Sequence, residues 1–239
     1  MKQDLILIHG FRGSELGLKA VADSIPSEKY NIFLISIPPA GGHTLKEYSA
    51  RHYAKFIADF IREKNLKKPV IVGHSMGSIV AAAVAERYPD LINNKLIFMS
   101  PISAKPAKPF AALTPLTVAL PNKMIGFITT QYLFMPKDQK LKKQTLKAVY
   151  TCGADYTTKK DVFRSAKFSV SCCIADFEFK NKVLFISGAK DRLMPRAKTE
   201  KLAKKLGAKS IFLDNSGHLI NYECPEKVAT EIISFLEHQ

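Results

Sequence analysis

The chain has 239 residues, 46% of them hydrophobic and 24% charged, which fits a soluble globular protein of one α/β domain, with or without a large insertion. No apolar run reaches the roughly 18 residues of a membrane span, and the start of the chain lacks the apolar core and cleavage site of a secretory signal, so a cytoplasmic location is expected. The net charge of +15 is uneven: residues 101–180 carry 13 basic and 5 acidic side chains, net +8, against +4 for residues 1–100 and +3 for residues 181–239.

In chain order, Leu5 to Ile8 is a short apolar run of the kind expected of a strand buried on both faces. It leads into His9-Gly10-Phe11-Arg12-Gly13-Ser14. Residues 15–25 show helical spacing, with Ser14 as candidate N-cap. A second strand is predicted over 31–37, a Pro-Gly loop over 38–42 and a long helix over 44–64, where Leu45, Tyr48, Tyr53, Phe56, Ile57, Phe60 and Ile61 recur near a 3.6-residue period. A third strand over 70–72 runs into Gly73-His-Ser-Met-Gly77 and an alanine-rich helix over 78–88. The fourth strand is 95–100. Strands alternating with helices predict a parallel sheet.

The alternation stops at Pro101. Residues 101–180 carry six prolines, at 101, 106, 109, 115, 121 and 136, between apolar pieces compatible with helices over 110–120, 123–134, 139–152 and 160–175. That is too long for a bare loop, and a helical cap inserted between two core segments, 1–100 and 181–239, is expected. Strands resume at 183–187 and 210–213, with helices over 196–206 and 225–236. The expected fold is α/β, doubly wound, with a mostly or wholly parallel six-stranded sheet.

Polar features fall where four predicted strands end, the edge at which open parallel sheets bind ligands. Ser75 sits at the apex of a strand–turn–helix with the form G-x-S-x-G, where the glycines remove side chains that the sharp turn cannot hold. A serine hydroxyl is a weak nucleophile at neutral pH and needs a base, an acid to orient that base, and donors for an oxyanion. His218, after the last strand, is the candidate base. Asp191, after the fifth strand, is the candidate acid. Asp214 is only four residues from His218, and Asp176 precedes its strand, so both are weaker choices. The backbone N–H groups of Met76 and Phe11 are the candidate oxyanion donors. His9 is read as a buried histidine tying its loop, at the border of a substrate pocket. Phe110, Met124, Phe127 and Tyr132 of the expected cap, with Leu219, are the other candidate pocket residues.

Taken together, His9-Gly10, Gly73-His-Ser-Met-Gly77, Gly188-x-x-Asp191-x-x-x-Pro195 and Gly217-His218…Glu223-x-Pro225-Glu226 resemble the α/β-hydrolase superfamily in its capped, esterase-like members, over residues 4–236. The resemblance implies ester hydrolysis through an acyl-enzyme, by a carboxylesterase-like serine hydrolase acting on a small-molecule acyl ester, with no cofactor and no metal. Thioesterase, lipase and lactonase chemistry use the same residues, and a ligand-binding receptor on a retained hydrolase fold is the non-enzyme alternative. The chain departs from the family in starting at the strand that carries His-Gly, without two earlier strands, and in having no tryptophan. Cys152, Cys172, Cys173 and Cys224 form no regular framework and are expected as free thiols. The lysines of the expected cap accompany no nucleic-acid motif and read as a solvated face, so no nucleic-acid partner is expected.

Overall fold

The structure is a computed structural model that describes residues 2–105, 118, 120, 122–134, 138–152 and 158–238. Among the described residues there are six strands: β1 Gln3–Ile8, β2 Tyr30–Ile35, β3 Val70–His74, β4 Lys95–Met99, β5 Lys182–Gly188 and β6 Lys209–Leu213. They form one sheet in the order β2-β1-β3-β4-β5-β6, and every pairing is parallel. The expected fold, a parallel six-stranded sheet with helices on both faces, is borne out.

Both faces of the sheet are covered, and strand alternation decides which side chain goes where. Leu5 and Leu7 of β1 pack with Val70, Val72, Ile97 and Leu184 against Val21 and the C-terminal helix. Ile6 and Ile8 pack on the opposite face with Ile71, Phe98 and Phe185. On that face lie α2 Ala50–Glu63 and α3 Met76–Arg87. The other face carries α1 Lys19–Asp23 and the C-terminal helix Pro225–Glu237.

Two predicted helices differ from the structure for identifiable reasons. Residues 15–25 form a 3-10 turn, Glu15–Leu18, followed by the five-residue α1, and the Ser14 hydroxyl makes no capping bond. Gly17 sits inside the segment and weakens a continuous helix. The long helix begins at Ala50 rather than residue 44. Leu45 and Tyr48 still pack on the core that receives α2, the Tyr48 ring lying edge-on to Tyr53 with centroids 6.0 Å apart. Their spacing reported burial, not helical backbone.

Between β4 and β5, the described residues form helices at Asn122–Leu133 (α4), Gln139–Cys152 (α5) and Lys159–Ser171 (α6). Only residues 118 and 120 of the piece expected as a helix over 110–120 are described, so Phe110 lies outside the described residues. The last helix, α6, is anchored in the main core: the Phe168 ring meets Tyr53 at 4.8 Å. Cys172, Cys173 and Cys224 are free.

The close of β5 shows how tightly the sheet edge is built. A Cβ at Gly188 would lie 2.0 Å from the Gly217 carbonyl oxygen and 2.4 Å from that of Ser216, both backbone atoms that cannot turn aside. Gly188→Ala is therefore expected to lower stability by about 3 kcal/mol or more, read as a fall in the urea midpoint. A midpoint equal to the parent protein's would show that the strand end is not packed this way.

Candidate active site

Sheet order brings distant loops together. The chain leaves β1 outward to β2 and returns to β3 on the other side, so β1 and β3 are neighbours whose C-terminal loops diverge. That switch point receives the His9-Gly10-Phe11 turn from one strand and Ser75 from the other.

The turn at Ser75 is possible only because Gly73 and Gly77 lack side chains. A Cβ on Gly73 would stand 2.4 Å from the Gly77 carbonyl oxygen, and one on Gly77 would stand 2.4 Å from that of Ile8. Ser75 itself has φ 53° and ψ −118°, a conformation that costs a non-glycine residue about 1–3 kcal/mol. Backbone bonds hold it there. The Ser75 N–H donates to the Met99 carbonyl at 3.0 Å, and the Ser75 carbonyl accepts from the Ser78 N–H at 2.9 Å. The Ser78 hydroxyl donates to the same carbonyl and accepts from the Ile102 N–H at 3.1 Å, tying the elbow to the exit of β4.

Three side chains expected from sequence meet in a line. Ser75 Oγ lies 2.9 Å from His218 Nε2, and His218 Nδ1 lies 2.8 Å from Asp191 Oδ2. Asp191 Oδ1 accepts two backbone N–H bonds, from Leu193 at 2.8 Å and Met194 at 2.9 Å. Burial works against charge on this carboxyl, but the His218 charge and N–H and the Met194 and Leu193 N–H groups outweigh it, and the net shift of its pKa is downward. An ionised Asp191 only accepts, so Nδ1 of His218 carries the proton and Nε2 is left to accept from the Ser75 hydroxyl. Of the rival acids, Asp176 instead takes the Cys173 N–H at 3.0 Å and faces Lys105 at 3.5 Å.

The His218 loop is held from several sides. The Gly217 N–H donates to Glu223 Oε2 at 2.6 Å, and the His218 N–H donates to the Leu133 carbonyl at 3.0 Å, so the end of α4 touches the loop. His74 Nε2 lies 3.2 Å from the His218 carbonyl oxygen and donates to it. Sequence reasoning gave His74 no role, since the motif leaves its position free. Only the fold reveals that it buttresses the loop.

His9 sits apart from this line. Its Nδ1 lies 2.8 Å from the Gly10 carbonyl and its Nε2 accepts the Ile37 N–H at 2.9 Å. With both ring nitrogens taken up by backbone, His9 ties loops together. Burial pushes His9 down to about 4, against a partial rise from the Gly10 bond. Burial, with the neighbouring His218, pushes His74 down to about 3. Both rings are neutral at physiological pH.

The N–H groups of Phe11 and Met76 donate to no backbone or side-chain acceptor among the described residues. A second link, missed in the sequence, reaches Met76 from α6. The Tyr53 hydroxyl donates to the Pro38 carbonyl at 2.8 Å. Ser165 Oγ lies 3.0 Å from that hydroxyl and 3.7 Å from Met76 Sδ. The remaining pocket candidates differ in enclosure. Leu219 is buried beside His218, whereas Met124 is 42% and Phe127 54% exposed, pointing in large part to solvent. Tyr132 carries the Arg192 guanidinium over its ring at 5.8 Å.

This arrangement sits in a recognisable class. The model of the alpha/beta hydrolase family matches residues 5–231. The chain belongs to that family. It is 26% identical over 248 residues to a protein of Mycoplasma pneumoniae named "Putative esterase/lipase 2", covering 99% of this chain and 90% of that one. It is 23% identical over 251 residues to "Uncharacterized hydrolase YugF" of Bacillus subtilis, with the same coverage of 99% and 90%. Among solved structures, the fold is similar to an esterase from Exiguobacterium antarcticum, with a TM-score of 0.86, 15% identity and coverage of 99% and 92%.

The two neutral histidines give a pH prediction. In the unfolded chain both protonate near 6.5, while in the folded protein they resist until about 4 and about 3. Above 6.5 neither contributes a pH dependence. Below it the unfolded state binds more protons, so stability is lost as pH falls, by up to about 1.4 kcal/mol per unit for each ring. The melting temperature is expected to drop steadily from pH 6.5 to pH 4, and His74→Asn is expected to flatten the slope. A slope unchanged by that substitution would remove His74 from the account.

Proposed function

We propose that the protein is a serine hydrolase that cleaves carboxylic esters of small molecules through an acyl-enzyme intermediate. The observation that carries this reading is the unbroken chain Ser75 Oγ–His218 Nε2, His218 Nδ1–Asp191 Oδ2. In attack, His218 takes the Ser75 proton at Nε2 as Oγ bonds to the acyl carbon. The resulting imidazolium is stabilised by ionised Asp191 through Nδ1–H. Negative charge on the former carbonyl oxygen is met by the N–H groups of Phe11 and Met76, at the start of α3, where the helix dipole adds to the effect. His218 returns the proton to the departing alcohol. Water then attacks the acyl-enzyme by the same route in reverse, with His218 again as base.

Three further observations support the reading. The elbow holds Ser75 in a strained conformation, the kind of cost a fold carries at a functional site. Two relatives across nearly the whole chain bear hydrolase or esterase/lipase names. Helices α4 to α6 form the cap in this reading, residues 101–180, with the end of α4 at the mouth of the site through the Leu133–His218 bond. Thioester and lactone substrates call on the same groups and are distinguished only by what the cap admits.

Steady-state hydrolysis of p-nitrophenyl esters of increasing acyl length tests the proposal. Ser75→Ala is expected to lower kcat by roughly 10⁴-fold or more. Asp191→Asn is expected to cost three to four orders of magnitude in kcat with little change in KM, because the imidazole loses the partner that fixes its tautomer. Turnover by Ser75→Ala equal to the parent protein's would exclude Ser75 as nucleophile. Near-normal activity of Asp191→Asn would move the acid to another residue.

A further inference from the structure

The α4–α5 pair carries a surface that the hydrolytic reaction does not use. On α4, Met124, Phe127 and Ile128 are 42%, 54% and 48% exposed. Their spacing, with Gln131 and Tyr132 following at the next turn, puts them along one face of the helix. Large apolar side chains in a row at such exposure are not a solvated face, and they mark a surface for contact.

The neighbouring helix supplies charge of one sign. Residues 122–152 hold six lysines against a single acid, Asp138. Asp138 is engaged at the start of α5, where its Oδ1 accepts the N–H groups of Lys140 at 2.8 Å and Leu141 at 3.0 Å. Lys142 Nζ reaches across to Gln131 Oε1 at 2.7 Å, which places a cation at the border of the apolar row. Lys140, Lys143 and Lys147 are exposed and recur at helical spacing on α5. At the far end of α4, the Arg192 guanidinium lies over Tyr132. An apolar row bordered by cations is the pattern of a surface that lies on an anionic bilayer, with apolar groups at the acyl boundary and lysines at the headgroups. No helix among the described residues is long and apolar enough to cross one.

We infer that the α4–α5 face docks the protein on anionic lipid bilayers, bringing the mouth of the Ser75 site, through the Leu133–His218 contact, to the membrane surface. The inference goes beyond the reaction proposed above and does not rest on it, since binding alone is read.

Full-length Ser75→Ala protein, which cannot consume an ester in the vesicle, is sedimented with large unilamellar vesicles. One set is phosphatidylcholine alone, the other equal parts phosphatidylcholine and phosphatidylglycerol. Binding is expected to the anionic set only and to weaken as salt rises. Lys140→Ala with Lys143→Ala is expected to lower partitioning about thirty-fold, and Ile128→Ser about tenfold. Circular dichroism melts confirm that each variant is folded. No binding to anionic vesicles at low salt would overturn the inference. Binding that survives Ile128→Ser unchanged, with equal capture by duplex DNA, would also overturn it and assign the lysines to a polyanion instead.

Discussion

The site depends on one contact, backbone against backbone, at the switch point of the sheet. The first turn of α3 lies so close to the ends of β1 and β3 that Gly77 has the Ile8 carbonyl and Gly73 has the Gly77 carbonyl where a side chain would begin. Rotamer changes cannot relieve such a contact, because no side chain takes part in it. The consequence is geometric: the chain must reverse within one residue, and Ser75 takes the left-handed φ that the reversal needs. Its hydroxyl then meets His218 Nε2 at 2.9 Å. The hydrogen bonds of Ser75 N–H to Met99 and of its carbonyl to Ser78 spread the strain into β4.

Electrostatics around that contact are equally constrained. Three imidazoles lie close together, with the rings of His74 and His218 5.6 Å apart. Were all three charged, their repulsion in a dry setting would be large. Burial keeps His9 and His74 neutral, and each is fixed by backbone partners. Asp191 is held by the His218 N–H and two backbone N–H groups, which favour its ionised form. In the proposed reaction, positive charge on His218 meets the Asp191 carboxylate and no competing cation from its histidine neighbours. This division of roles, one ring paired with a carboxylate and two held neutral, follows from burial and hydrogen bonding together.

Much of this was legible in the sequence. Short apolar runs bounded by Gly and Pro marked all six strands, because a parallel strand buried on both faces has no polar alternation to obscure it. Ser75, Asp191 and His218 could be picked out because a parallel sheet sends the loop after every strand to the same edge. Other features were hidden. The glycine within 15–25 and the non-helical approach of Leu45 and Tyr48 broke the link between apolar period and backbone conformation. His74 occupies a position that the motif leaves open, and its job is set by the His218 carbonyl, which arrives from 144 residues away. The Tyr53–Ser165–Met76 contact joins three elements whose pairing only the tertiary fold decides. The exposure of Met124 and Phe127 on α4 was hidden because apolar periodicity reports which face of a helix is apolar, not whether that face turns inward.

The central claim is that the fold makes one serine nucleophilic. Reaction of the native protein with a fluorophosphonate, followed by peptide mapping by mass spectrometry, tests it most directly. The account predicts a single adduct on the peptide that contains Ser75, lost on unfolding and strongly slowed in Asp191→Asn. An adduct on another residue, or no adduct on the folded protein, would contradict it.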